Sequence, residues 1–86
     1  MKIYYTKAAL KAVKSMDKAT KQRIKSGIEG LTKTPPQGDI KHMQGYLDNR
    51  FRLRIGKYRI IYRYEDEENA VILLILDIGS RGDIYK

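Results

Sequence analysis

Hydrophobic residues between positions 10 and 31 recur with the period of an α-helix. Leu10 and Val13 are three residues apart, which predicts a short helix that ends near residue 15. Ile24, Ile28 and Leu31 fall at i, i+4 and i+7, which predicts a second helix with one apolar face. The short connection between these segments predicts that the two helices form a hairpin.

Polar residues and prolines mark where these helices begin and end. Thr6 and Asp17 precede the two helices, and both residue types cap helices because a side-chain oxygen accepts from a free first-turn amide. Residues 2–5, ahead of Thr6, predict a short strand. Pro35 and Pro36 end the helical half, since proline lacks an amide proton and disfavours helical conformation in its predecessor.

Two glycines lie within the second predicted helix. Gly27 and Gly30 each weaken a helix by about 1 kcal/mol relative to alanine. A glycine also lets a helix come close to a neighbouring element, because it has no Cβ atom. We therefore expect both glycines to allow close packing of this helix on a sheet.

From residue 50 onward the hydrophobic period changes to two. Residues 50–55 alternate basic and apolar side chains, Gly56-Lys57 predicts a two-residue hairpin turn, and residues 58–64 predict the returning strand. The acidic residues 65–69 predict the next turn. Residues 70–78 are apolar at nearly every position, which predicts an inner strand covered on both faces.

These elements predict an α+β fold: an N-terminal strand, a helical hairpin, then a three- to four-stranded antiparallel meander forming one sheet, with helices on one face. With 86 residues the chain is expected to form a single domain, 1–86. It contains no cysteine, and its longest apolar run is far too short to cross a membrane. The N-terminus lacks a secretory apolar region, so we expect a cytoplasmic protein without membrane association.

The predicted hairpin places arginines opposite one another on one face of the sheet. Counting outward from a two-residue turn pairs Arg54 with Arg59 and Arg50 with Arg63, with Arg52 between them, while apolar residues occupy the other face. Opposed like charges destabilise a sheet, so folding alone gains nothing from this arrangement. A bound anion explains it better, because guanidinium groups match phosphate oxygens. A turn one residue longer would exchange the two faces.

The net charge supports a polyanionic partner. It is +8, and four of the ten acidic residues are gathered at positions 65–68, so the remaining surface is more basic than the total indicates. A merely solvated basic face stays possible on composition alone. The predicted RNA- or phosphate-binding residues are Arg50, Arg52, Arg54, Arg63 and Lys57.

Two segments resemble the RelE/ParE toxin superfamily: residues 51–62, with the pattern Gly-x-Tyr-Arg-hydrophobic-hydrophobic-Tyr, and residues 78–85, where a tyrosine follows an arginine by four positions. The second pattern is similar to the ribonuclease branch. The resemblance implies that Arg59 holds the scissile phosphate and that Arg81 and Tyr85 are catalytic. Arg52 and Arg54 match positions that are lysines in the best-known member; arginine keeps its proton, so only charge stabilisation carries over.

The resemblance implies a type II toxin, an mRNA interferase that inhibits translation by cleaving messenger RNA in the ribosomal A site without a metal or cofactor. It also implies a cognate antitoxin, with DNA contacted only through the toxin–antitoxin complex. The single histidine, His42, is predicted to be a loop residue outside the catalytic machinery. Two alternatives stay open: a ParE-like inhibitor of DNA gyrase, and an RNA-binding toxin homologue with little catalytic activity.

Overall fold

The computed structural model describes residues 1–80, and its elements follow the predicted order. They are β1 (Ile3–Tyr5), α1 (Lys7–Lys14), α2 (Lys18–Gly30), β2 (Asp39–His42), β3 (Arg50–Ile55), β4 (Tyr58–Glu67) and β5 (Ala70–Ser80). The predicted α+β class, with a strand and a helical hairpin ahead of an antiparallel meander, is confirmed. Arg81 and Tyr85 lie outside the described residues.

The five strands form one sheet in the order β1-β5-β4-β3-β2. β1 pairs in parallel with β5, and the other neighbouring strands are antiparallel. A parallel pair needs a long crossover, and the helical hairpin forms the first part of that connection. The chain then enters the sheet at its far edge as β2 and returns strand by strand to β5.

Side-chain caps fix the starts of both helices, as predicted. Thr6 Oγ1 accepts from Ala9 N at 3.2 Å, and Asp17 Oδ1 accepts from Thr20 N at 2.8 Å. The Thr6 hydroxyl also donates to the carbonyl oxygen of Leu76 at 2.6 Å. Leu76 is the extra residue of a β-bulge in β5, so this one side chain ties the start of α1 to the irregular point of the sheet.

The helices pack on one face of the sheet and form the hydrophobic core with it. Ile24, Ile28 and Leu31 of the second helical segment are buried there, which confirms the predicted apolar face. The sheet contributes alternate residues, as expected when one face of a strand is covered. The buried side chains of the sheet in this cluster are Leu53, Ile60, Tyr62, Leu73, Ile75 and Ile78.

Close packing explains one of the two helical glycines. A Cβ atom on Gly27 would overlap with Ile55 Cδ1 and lie 3.2 Å from Ile55 Cγ1, so with a larger residue here Ile55 or the helix would have to move. The same expectation is wrong for Gly30. A Cβ atom there would meet the carbonyl oxygen of Gln37 at 3.2 Å, in the loop after α2 and not in the sheet.

Three details differ from the sequence prediction. Residues 39–42 form the edge strand β2, although Ile40 is the sole apolar residue among them. The second hairpin turn is only Glu68 and Asn69, both with positive φ, because the acidic residues before it continue β4. Strand β5 is an inner strand, but its second face is not covered by a described element, and Leu74 and Leu76 remain partly exposed.

Candidate nucleic-acid interface

The predicted register of the β3–β4 hairpin is confirmed at every pair. Arg54 lies opposite Arg59, Arg52 opposite Ile61 and Arg50 opposite Arg63. Leu53, Ile60 and the other apolar partners point to the helices. Because side chains alternate along a strand, the five arginines share the sheet face that carries no helix. We call these five residues the arginine face.

Asp48 holds one pair of opposed arginines together. Its carboxylate accepts from Arg50 Nε at 2.6 Å and from Arg50 Nη2 at 2.8 Å, and also from Arg63 Nη1. Arg63 Nε in turn donates to Glu65 Oε2 at 2.5 Å. The expectation that opposed arginines gain nothing from folding is therefore wrong for this pair, since bidentate carboxylate pairs offset the like-charge repulsion. Contact of Arg50 and Arg63 with RNA stays a prediction.

A second carboxylate comes from the edge strand β2. Asp39 lies opposite Arg54 and accepts from Arg54 Nε at 2.8 Å. Its other oxygen is 3.6 Å from Arg52 Nη2. Sequence reasoning missed this residue because the strand that carries it was not recognised. Arg54 remains half exposed, so solvent screens this ion pair and leaves the guanidinium accessible to another anion.

A groove of about 650 Å³ opens on the arginine face beside the β2–β3 loop, residues 43–49. It brings together three of the predicted site residues, Arg52, Arg54 and Arg59. The Arg52 side chain is only 11% exposed, and its Nε has no hydrogen-bond partner among the described residues. A buried donor without an acceptor costs free energy, so an anion bound in the groove would stabilise this arginine.

The turn end of the hairpin adds one more predicted residue. A smaller cleft of about 390 Å³ is lined by Arg54, Arg59, Gly56 and Lys57, so the lysine lies next to the groove. Gly56 has a φ of +57°, which the first position of this turn requires. Arg81 and Tyr85, predicted to be catalytic, fall outside residues 1–80, so their placement relative to the groove stays a prediction.

His42 lies in β2 and not in a loop, which corrects the sequence prediction. Its Nε2 is 2.6 Å from Asn49 Oδ1, and its ring meets the ring of Phe51 edge-on at 5.2 Å. Phe51 belongs to the helix-covered side of the hairpin, so the imidazole contacts residues of that side. His42 also lines the groove beside the β2–β3 loop, and the expectation that it is not catalytic stays a prediction.

The shifted pKa values at the β3–β4 hairpin belong to an ion-pair network and to buried phenols. Hydrogen bonds with carboxylates raise the pKa of Arg50 and of Arg63. Hydrogen bonds from Arg50 and Arg63 lower the pKa of Asp48 to about 2, so this carboxylate is ionised at any physiological pH. Burial raises the pKa of Tyr62, which therefore remains a neutral phenol. Neither residue supplies a proton-transfer group near pH 7.

Metal coordination has no support in the described part of the chain. Within residues 1–80 there is no group of three or more His, Asp or Glu side chains that could hold a metal ion. The positive charges of this surface belong to the guanidinium groups and to Lys41 and Lys57. Neither helix of that same region is long and apolar enough to cross a membrane.

Solved structures with the same fold come from RelE- and ParE-type proteins. A RelE–RelB complex from Pyrococcus horikoshii OT3 matches with a TM-score of 0.74 at 27% identity, over 95% of this chain and 96% of that one. A YoeB/ParE toxin from Agrobacterium tumefaciens matches with a TM-score of 0.78 over 94% and 99%. At 17% identity, the second match shows the fold alone.

Sequence comparison then establishes the family. The family model described as ParE toxin of type II toxin-antitoxin system, parDE, matches residues 3–85. Toxin RelG from Mycobacterium tuberculosis (strain ATCC 25618 / H37Rv) is 39% identical over 46 residues, 54% of this chain, and the match spans about half of that relative. The chain belongs to the ParE toxin family of type II toxin–antitoxin systems, within the RelE/ParE superfamily.

Proposed function

We propose that this toxin is a metal-independent endoribonuclease that cuts messenger RNA, most effectively in the ribosomal A site. The observation that carries the proposal is the groove in which Arg52, Arg54 and Arg59 converge. A buried guanidinium donor in that groove has no acceptor from the described chain, and a phosphate oxygen is the acceptor that it fits. The catalytic roles of Arg81 and Tyr85 in this proposal come from the family resemblance.

The reaction begins with the 2′-hydroxyl of RNA, which loses its proton and forms a bond to the adjacent phosphorus. The bond from phosphorus to the 5′-oxygen then breaks, and that oxygen takes up a proton. The arginines of the groove neutralise the charge that accumulates on the phosphoryl oxygens, as oxyanion donors do. Arg81 stabilises the leaving oxygen, and Tyr85 orients a flanking base.

The ribosome supplies part of the catalysis in this proposal. Arginine cannot act as a general base at physiological pH. The single histidine lines the groove, but Asn49 contacts its Nε2 and Phe51 meets its ring, so we assign it no proton-transfer role. Positioning of the message and charge stabilisation are therefore the main contributions of the toxin. We expect naked RNA to be a poor substrate and a message held in the A site to be a good one.

The test is primer extension on a translated message. The parent protein is expected to give cleavage within codons, and Arg81→Ala is expected to reduce it by about 100-fold, the effect of losing one transition-state donor. Lys25→Ala, on the exposed surface of α2, is the control and should cleave like the parent. Equal cleavage by Arg81→Ala would show that the assignment of the C-terminal arginine is wrong.

A second candidate is inhibition of DNA gyrase, which the matching family description favours because it names ParE. Such a protein blocks an enzyme and makes or breaks no bond itself. Mapping nucleic-acid breaks after expression separates the two: cut messages support the ribonuclease, whereas double-strand DNA breaks with intact messages support gyrase inhibition. Binding of RNA without breaks of either kind would identify a catalytically weak homologue.

An antitoxin protein is the proposed partner, and the cytoplasm is its proposed location. The matched family is defined by toxin–antitoxin pairs, and the Pyrococcus relative was solved as a RelE–RelB complex. An acidic antitoxin segment crossing the arginine face would neutralise its charge and block the groove. DNA would be contacted only through that complex.

A further inference from the structure

Tyr46 lies in the β2–β3 loop at the edge of the groove. Its side chain lines the groove together with Arg52, Arg54 and Arg59. The residue is 45% exposed, so part of its ring is accessible to a ligand in the groove. Its position places an aromatic ring beside three phosphate-binding candidates.

One face of the Tyr46 ring is fixed by a cation–π contact. The guanidinium carbon of Arg50 lies 4.3 Å from the ring centroid. Arg50 itself cannot move freely, because Asp48 accepts two hydrogen bonds from it and also binds Arg63 of the next strand. The sheet thus holds the ring in place through a chain of charged contacts, although the residue belongs to a loop.

We propose that Tyr46 is a stacking platform for a nucleobase next to the phosphate in the groove. Single-stranded nucleic acids are bound where a basic groove follows the backbone and an aromatic ring receives a base, and both features are present here. The proposal rests on the proposed function, since it takes RNA as the ligand of the groove. Stacking does not depend on base identity, so Tyr46 contributes affinity and register and not sequence preference.

Arg50 and Asp48 gain a role in this proposal as positioning residues. They do not line the groove, but they keep the ring of Tyr46 oriented beside it. A purely structural role for Tyr46, as a cover for the Arg50–Asp48 pair, would affect stability and leave the bound base unstacked. Fluorescence of a base analogue distinguishes these two roles, because stacking on an aromatic ring quenches it.

The experiment uses the full chain and short RNA oligonucleotides that contain 2-aminopurine. The nucleotide 5′ of the scissile bond carries 2′-deoxyribose, so binding is measured without cleavage. The parent should quench the fluorescence of 2-aminopurine at one position of the oligonucleotide, and Tyr46→Phe should retain this quenching. Tyr46→Leu should lose it and weaken binding by about tenfold, within the range measured for one stacked base.

Leu47→Ala is the matched control, because Leu47 is the fully exposed neighbour and does not line the groove. Leu47→Ala should bind the oligonucleotide and quench its fluorescence like the parent. Thermal unfolding should show that both Tyr46→Leu and Leu47→Ala keep the fold. Unchanged quenching by Tyr46→Leu would overturn the stacking role alone. Failure of the parent to bind the oligonucleotide would overturn the stacking role and leave the proposed function to the cleavage assay on the ribosome. Normal quenching without cleavage on the ribosome would overturn only the proposed function.

Discussion

Individual carboxylate groups bind the side chains of the arginine face and fix their positions. The sequence predicts which arginines share a face, because the two-residue turn sets the register of the hairpin. It does not predict that Asp48 bridges Arg50 and Arg63, because that contact depends on the path of a seven-residue loop. Like-charge repulsion therefore correctly indicates that anions lie beside the arginines, and some of these anions are carboxylates of the protein itself.

The stability of the protein should depend on Asp48 in a pH-dependent way. Its pKa is lowered from 3.8 to about 2, so the folded state favours the ionised form. The ionised carboxylate of Asp48 therefore stabilises the fold above about pH 4, and this contribution is lost as the pH falls from about 4 to about 2. Denaturant unfolding should show that Asp48→Asn is less stable than the parent at pH 7.

The same measurement in acid provides the control for that prediction. The difference between Asp48→Asn and the parent should shrink between pH 4 and pH 2, because the parent's carboxylate becomes protonated there. Asp66→Asn changes an exposed acid of β4 and should leave the stability at pH 7 nearly unchanged. A difference that stays constant down to pH 2 would show that charge pairing is not the cause.

At the scale of elements, turns and caps were predictable and polar strands were not. Thr6, Asp17 and the Gly56-Lys57 turn carry strong local preferences, so the helices and the central hairpin follow from sequence. Strand β2 and the acidic end of β4 have few apolar residues, and they are strands because a neighbouring strand offers hydrogen-bond partners. Tertiary pairing here overrides residue preference.

The contact between α2 and β3 makes a testable prediction. Gly27→Ala should destabilise the protein by about 1–2 kcal/mol, because the overlap of the added methyl group with Ile55 outweighs the gain of about 1 kcal/mol in helix propensity. Ser26→Ala, one position earlier on the exposed side of the same helix, is the control and should change stability by less than about 0.5 kcal/mol. Chemical denaturation of the three proteins measures both effects. A stabilised Gly27→Ala would contradict this packing.

At the scale of the whole molecule, positive charge is not confined to the groove. Residues 7–33 contain eight basic and two acidic side chains, a net charge of +6 within a total of +8. The arginine face, by contrast, carries Asp39, Asp48 and Glu65 among its guanidinium groups. Affinity for RNA by itself would therefore not identify the groove as the site, because both sides of the molecule attract polyanions.

The molecule's class was predictable from two short motifs, whereas its mechanism was not. The hairpin pattern and the C-terminal pattern indicate the superfamily, and the family match over residues 3–85 confirms it. The groove depends on the β2–β3 loop, whose path no local preference determines. Tyr46 was missed for this reason, since an isolated aromatic residue in a polar loop carries no periodic pattern.

Single-turnover cleavage of a message held in the ribosomal A site tests most directly whether the groove binds the scissile phosphate. We expect Arg52→Gln to slow cleavage by about 100-fold, because it removes one donor to the phosphoryl oxygens. Lys25→Gln removes one positive charge from α2 and should slow cleavage less than about twofold. Cleavage by Arg52→Gln at the parent's rate would contradict the assignment of the groove.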